Sequence, residues 1–335
     1  MIFSIRKKAV TTFSLILIAF LMVSALAGCS QPTQTAQTTT QAAQTTTQAA
    51  QTTQSEQTTE ITQTEAPVGA ASNFNDGREI NVVSREEGSG TRGAFIELLG
   101  IQVRGDDGTT KDMTTGEAII ADGTSIVMTN VANDLYAIGY ISMGSLNDTV
   151  KAIDIDGAAP TLENVKNKTY AIQRPFFIAT KGDPSGVAKD FMDFILSKDG
   201  QEVIVGKGCI AVDDNAPAFE TTKPSGKITV GGSSSVFPVM EKLVEEYNKI
   251  NSNAEIELHQ SDSSIGMQST IEGSYDIGMS SRELKDTESE QLKGVQIAID
   301  GLAVIVNPQN PITGTSKETI CKIFIGELFT WDKVK

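Results

Sequence analysis

From about residue 78 the chain alternates short β-branched apolar runs with segments whose apolar residues recur at helical spacing, and the joints are rich in Gly, Ser and Thr. Ile80-Asn81-Val82-Val83 predicts a strand and Ala94-Phe95-Ile96-Glu97-Leu98-Leu99 a helix, which makes Ser84 to Gly93 a strand-to-helix turn. A polar Gly/Asp-rich stretch from Gly105 to Gly123 leads to a strand at Ala137–Ser142. A second region starts near Pro175-Phe176-Phe177-Ile178-Ala179. It includes an amphipathic helix from Ser185 to Leu196, with Val187, Phe191, Phe194 and Ile195 on one side, and ends at Cys209-Ile210-Ala211-Val212. Asp213 to Gly226, rich in Pro, Asp and Thr, reads as a surface connection. Then Lys227–Val230 predicts a strand, Gly231–Ser235 a hydroxyl-lined turn, and Val239, Leu243, Val244, Tyr247 and Ile250 the stripe of a helix with Pro238 in its first turn. A third turn is Ser261–Gly266, before a short helix through Ile271, and a fourth is Asp276–Arg282. Strands alternating with helices imply an α/β fold with substantially parallel sheets, which bind ligands at the carboxyl ends of their strands.

The N-terminal part has a different character. Arg6-Lys7-Lys8, an apolar span to Ala27, and Leu26-Ala27-Gly28-Cys29 read as a lipoprotein signal peptide over residues 1–28, with Cys29 as the lipidated first residue after cleavage. A transmembrane helix is the alternative, and both place the rest outside the cytoplasm. Residues 29–75 are then the lipidated Cys and a Gln/Thr/Ala-rich tether, expected to be disordered, because such a composition cannot bury a core. Roughly 260 residues remain, which suits two lobes. Loss of residues 1–28 leaves 24 Lys+Arg against 42 Asp+Glu, a net charge of −18. That charge argues against a nucleic-acid partner, and an anionic ligand would have to be attracted by local dipoles and hydrogen bonds.

Cys209 and Cys321 do not make a disulfide framework, and the single His259 follows an alternating strand-like run, so neither a His-containing triad nor a zinc site has its material and no cofactor is implied. Four Ser/Thr/Gly turns, by contrast, can surround a small oxyanion with hydroxyls and helix N-termini. Gly88, Gly90 and Gly93 also satisfy GxGxxG, with acids at Asp106 and Asp107. The bulk of Ser89, Thr91 and Arg92 and the exported context argue against a dinucleotide.

Arg85-Glu86-Glu87-Gly88-Ser89-Gly90-Thr91-Arg92, Gly232-Ser233-Ser234-Ser235-Val236-Phe237-Pro238 and Asp276-Ile277-Gly278-Met279-Ser280-Ser281-Arg282-Glu283-Leu284 together resemble the phosphate-binding lipoprotein of bacterial phosphate ABC transporters. The resemblance continues through Ile299–Pro308, Ile323–Gly326 to Trp331, and Thr180–Gly186, and covers nearly all of residues 78 to 335. It implies a two-lobed periplasmic-binding-protein-like (type II) fold, a non-enzymatic monomer that closes on inorganic phosphate and presents it to ABC transporter permease subunits. The motifs carry the phosphate site onto Ser234 and Ser235 in one turn, Ser263 in the next, Ser281 where many relatives have an aspartate, and Arg85, Glu87, Ser89, Gly90 and Thr91. In this reading Arg85 gives a fork of donors to the dianion and Glu87 accepts the proton of hydrogen phosphate, which sulfate lacks.

The segments stand in a different order from that family, whose chains begin with what is here 227–335 and continue into 78–212. The chain is therefore expected to be circularly permuted, with Val334 and Arg78 close together in space. One lobe would hold 76–172 plus 309–335 and the other 174–306, with crossings near 172–175 and 306–309. The tether then enters the former lobe, whereas in the family the anchor enters the other. Alternatives are a binding protein for another oxyanion such as sulfate or molybdate, a phosphate-sensing or adhesive surface lipoprotein that keeps the fold, and a hydrolase using Ser233–Ser235, which lacks a partner histidine.

Overall fold

The structure, a computed structural model, describes residues 74–105 and 109–334. The signal segment, Cys29 and the tether as far as residue 73 lie outside the described residues, as do Asp106 and Asp107. Among the described residues no helix is long and apolar enough to cross a membrane.

The principal strands are β1 (Asn81–Arg85), β2 (Ile119–Ala121), β3 (Ala137–Ser142), β4 (Gln173–Thr180), β5 (Gly226–Ser233), β6 (Ala254–Ser261), β7 (Ile277–Ser280) and β8 (Lys293–Val306). They run side by side in the order β6-β5-β7-β4-β8-β3-β1-β2. The outer pairs, β5 with β6 and β7 and β1 with β3 and β2, are parallel, as alternating strands and helices require. The central contacts of β4 with β7 and β8, and of β8 with β3, are antiparallel. The expectation of substantially parallel sheets holds for the outer pairs, and the centre departs from it for a topological reason: β4 and β8 carry the chain from one lobe to the other, and a strand that leaves must be answered by one that returns.

The helices that matter for the cleft are α1 (Gly90–Leu98), α2 (Thr124–Asn133), α3 (Gly186–Leu196), α4 (Lys198–Gly206), α5 (Phe237–Ile250) and α6 (Ser263–Glu272). Each buries the stripe its sequence presents. On α3 the buried set includes Val187, Phe191, Phe194 and Ile195, and on α5 Val239, Leu243 and Tyr247, with Phe191 and Phe194 5.1 and 5.6 Å from the Tyr247 ring. No helix or strand occurs from 213 to 225, in keeping with a connection that runs over the surface.

Two hydrophobic cores flank the crossing. One holds Val82, Val83, Phe95, Ile138, Tyr140 and Leu302–Val306, the other Phe176, Ile178, Phe191, Leu243, Tyr247, Ile297 and Ala298. The returning crossing therefore lies inside β8, between Ala298 and Leu302, rather than at 306–309. A 14-residue strand is long enough to serve both cores, and its register slips between Gln296 and Ala298. Residues near the two ends of the described segment pair directly. Glu79 bridges Thr330, the Ile80 amide donates to Phe329 O (2.8 Å), and the Asp332 amide donates to Asp76 O (2.7 Å). Trp331, only 1 % exposed, donates its backbone N–H to Arg78 O at 3.3 Å.

At the crossing sits a buried ion pair. Arg174 of β4 donates from Nη2 to Asp300 of β8 at 3.2 Å, and Ser142 of β3 donates to the same carboxylate at 2.7 Å. Burial lowers the Arg174 pKa to about 10 against the opposing pull of Asp300, so the guanidinium stays charged at neutral pH. Removing one partner of such a pair strands a charge, so Asp300→Ala should cost about 3–5 kcal/mol in urea unfolding. The double replacement Arg174→Met with Asp300→Leu should cost clearly less than Asp300→Ala alone.

Candidate functional site: hydroxyls and a guanidinium closed between two lobes

The turn after β1 is held from below. The Tyr140 hydroxyl lies 2.9 Å from Ser84 Oγ and accepts the Arg85 amide at 3.1 Å, while its ring stacks on Phe95 at 3.7 Å. Ser89 caps α1, its Oγ accepting the Arg92 amide at 3.2 Å. Arg92 in turn pairs with Asp112 at 2.8 Å and donates to the Arg85 carbonyl. With its backbone pinned on both sides, the Arg85 side chain turns inward and is 1 % exposed.

There the guanidinium meets three groups. Nε and Nη2 donate to the two oxygens of Glu86 (2.7 and 2.5 Å), Nη2 also to Ser234 Oγ (2.9 Å), and Nη1 to Thr124 Oγ1 (3.3 Å). Burial pushes the Glu86 carboxyl up, but the hydrogen bond and charge of Arg85 and the Glu86 and Gly123 amides outweigh it, so its pKa falls below 4.5. The pair's contribution is thus complete at neutral pH and is lost only as pH falls through that lowered value.

The opposite lobe supplies the turn after β5 and the start of α6. Ser234 and Ser235 are 3 % and 1 % exposed; Ser235 Oγ lies 2.7 Å from Thr91 Oγ1 and 3.2 Å from Thr124 Oγ1. Gly232, at φ 136°, passes so close to β7 that a Cβ would lie 2.3 Å from Met279 O, and this approach brings the serine turn beside the turn after β7. Ser263, the first residue of α6, accepts the Ser281 amide at 3.1 Å, with the two hydroxyls 3.4 Å apart. Gly90 joins this pair to the rest, because a Cβ there would stand 2.6 Å from Ser263 Oγ and 2.8 Å from Ser281 Oγ. The Ser264 amide donates to Gly88 O at 3.3 Å, so the lobes are closed on each other. The larger surface clefts lie elsewhere, one of ≈ 460 Å³ beside α4 and α5 and one of ≈ 520 Å³ near Glu97, Arg174 and Arg282.

Four helices, α1, α2, α5 and α6, begin at this cluster, and apart from the Glu86 carboxylate that Arg85 holds its side chains are donors or hydroxyls that can donate. Such an arrangement can hold a small multivalent anion by hydrogen bonds. His259 is exposed on β6 and stacked on Tyr275 at 5.8 Å. Among the described residues no group of three or more His, Cys, Asp or Glu is placed to hold a metal. Cys209 is buried, and burial raises its thiol pKa well above the ordinary value; Cys321 is partly exposed, and both are free thiols.

The PBP superfamily domain matches residues 56–199 and 217–334. This chain belongs to that family. It is 50% identical over 254 residues to "Phosphate-binding protein PstS 2" of Streptococcus agalactiae, covering 75% of this chain and 86% of the relative. To the protein of the same name from Streptococcus pneumoniae serotype 4 it is 42% identical over 267 residues, covering 79% and 91%. A crystal structure of a phosphate-binding protein of a phosphate ABC transporter, from S. pneumoniae TIGR4, superposes with a TM-score of 0.62 at 41% identity, covering 77% of this chain and all of that one.

Of the residues singled out in this PBP-family sequence, Arg85, Thr91, Ser234 and Ser235 share one hydrogen-bonded cluster, with Ser263, Ser281 and Gly90 against it. The Ser89 hydroxyl is occupied as a helix cap. Glu87 does not join them. It is exposed in the turn beyond β1, and the carboxylate on Arg85 is its neighbour Glu86, because the strand ends at Arg85 and the chain bends outward one residue later. Thr124 is an addition. The Gly105–Gly123 stretch is polar and Gly/Asp-rich by composition, yet Ile119–Ala121, Gly123 and Thr124 repeat the strand-turn-helix sign seen elsewhere. For Gly90→Ala, the added methyl against Ser263, Ser281 and the Arg282 stem should hold the lobes apart, giving a larger radius of gyration by small-angle scattering with the fold retained by circular dichroism.

Proposed function

We propose that this chain is an extracytoplasmic solute-binding lipoprotein, anchored through Cys29, that captures inorganic phosphate between its lobes and delivers it to an ABC permease. It works as a monomer and without catalysis. The observation that carries this reading is the convergence of Arg85, Thr91, Ser234, Ser235, Ser263 and Ser281 from both lobes on one closed shell, in a chain 50% identical over 254 residues to a named phosphate-binding protein. The ligands are Ser234, Ser235, Ser263, Ser281, Arg85 and Thr91, with the Ser89–Gly90 backbone at the start of α1. A charge-assisted hydrogen bond is worth about 1.5–3 kcal/mol. Several, less closure costs, reach the roughly −8 kcal/mol of a micromolar site.

The segment order is read as a circular permutation. The hydrogen bonds between residues 76–80 and 329–332 favour it, since they are the contacts a former covalent junction would leave. It places the tether on the lobe holding β1–β3.

With Glu87 exposed and Ser281 in the aspartate position, hydroxyls must read the ligand's proton. A hydroxyl can accept from hydrogen phosphate or donate to sulfate, so discrimination is expected to be weaker than a carboxylate would give. Calorimetry on the exported chain carrying Cys29→Ser should show micromolar or tighter phosphate binding and at least tenfold weaker sulfate; equal or tighter sulfate favours the reading as a carrier of another oxyanion. Arg85→Lys should lose at least tenfold in phosphate affinity, because an ammonium cannot span Glu86, Ser234 and Thr124 together. Glu87→Gln should stay within twofold of the parent, and a tenfold loss would restore Glu87 to the pocket.

A further inference from the structure

The contacts of Thr124 are those of a ligand arm rather than of a helix that merely abuts the site. It is 4 % exposed and opens α2, ten residues long, whose N-cap is Gly123 at φ 106°, with no side chain capping the first turn. A side chain at that φ would be strained, so the position that aims the Thr124 amide at the cleft is suited to glycine. The amide points to Ser234 Oγ at 3.3 Å, and the hydroxyl lies 3.3, 3.2 and 3.3 Å from Ser234 Oγ, Ser235 Oγ and Arg85 Nη1. Its oxygen–oxygen contacts are longer than the roughly 2.7–2.8 Å of a settled O–H···O bond, whereas Thr91 and Ser235 sit at 2.7 Å. The Thr124 hydroxyl is therefore surrounded but not committed.

The donor count points the same way. Ser234 Oγ receives both Arg85 Nη2 and the Thr124 amide, so its acceptor positions are taken and its own proton is left to be donated, to the Thr124 hydroxyl at 3.3 Å or to a bound anion. The Gly123 amide is held by Glu86 at 3.2 Å, the carboxylate that also grips Arg85, so a single side chain sets the positions of both the guanidinium and the start of α2.

We propose that Thr124 is a further ligand of the bound anion, giving its hydroxyl and backbone amide from the N-terminus of α2, with Glu86 as the positioning residue that holds this arm beside Arg85. The proposal rests on the phosphate-binding reading and extends it to a turn outside the carried-over motifs.

The test is phosphate calorimetry on the Cys29→Ser chain with T124V, T124S, T124A and, as a control, S234A, together with thermal unfolding of each in phosphate-free buffer. Loss of one charge-assisted hydrogen bond predicts a fall of about tenfold or more for T124V. T124S, which keeps the hydroxyl, should remain within threefold of the parent with its phosphate-free melting temperature unchanged; T124A replaces T124V if the latter does not fold. E86Q, with a weaker grip on Gly123 and Arg85, should lose affinity while T124S in that background gains nothing. If T124V and T124A stay within twofold while S234A falls tenfold, Thr124 is no ligand, and if T124S falls as far as T124V the methyl packing is what matters; either result overturns this proposal alone. A parent chain that binds no phosphate overturns it together with the function it rests on.

Discussion

A guanidinium kept charged where almost no solvent reaches it is the constraint on which the cleft depends. Taking such an ion out of water costs several kcal/mol even after relaxation, and Arg85 meets that cost with the bidentate contact to Glu86 and hydroxyls from both lobes. The consequence for binding is that Arg85 brings little surplus charge, since Glu86 neutralises it. Attraction for an anion must come mainly from oriented dipoles: serine and threonine hydroxyls and the first turns of α1, α2, α5 and α6. That suits a chain whose overall charge is strongly negative, because short-range dipoles act where the global field has been screened or excluded.

The crossing between lobes repeats the logic at a second place. Arg174 and Asp300 lie on neighbouring antiparallel strands, and Ser142 reaches the same carboxylate from the far lobe. Burial is the main cause that lowers the Arg174 pKa, and the positive charge of Arg85 adds to it. Each guanidinium needs its own carboxylate, Glu86 and Asp300, for the closed arrangement to be electrostatically tolerable. The long strand β8 bears residues of both cores and carries Asp300 between them, which makes the crossing a place where packing and charge are decided together.

Much of this was legible in the order of residues. The stripes on α3 and α5, the strand at Ala137–Ser142 and the turn capped by Ser89 follow from period, β-branching and capping chemistry, all of which act within a few residues. The convergence of Ser234, Ser263 and Ser281 was legible as chemistry, since hydroxyl-rich turns at the starts of helices have few other joint uses. Less accessible was the choice between Glu86 and Glu87. Both are adjacent acids beside one arginine, and the turn, not the composition, sends one inward and the other to solvent. Thr124 was hidden because its strand is three residues long and its stretch reads as polar linker.

What the sequence by itself determined is therefore the alternation of strands and helices, the apolar faces and the set of hydroxyl donors, because those depend on local periodicity and side-chain chemistry. Tertiary structure alone decided that β4 and β8 run antiparallel through the middle of the sheet, that the returning crossing falls within β8, and which carboxylate faces Arg85. These outcomes turn on contacts between residues more than a hundred positions apart, such as Arg85 with Ser234 and Ser142 with Asp300, and on one-residue differences in the direction of a bend, neither of which leaves a local signature in the chain.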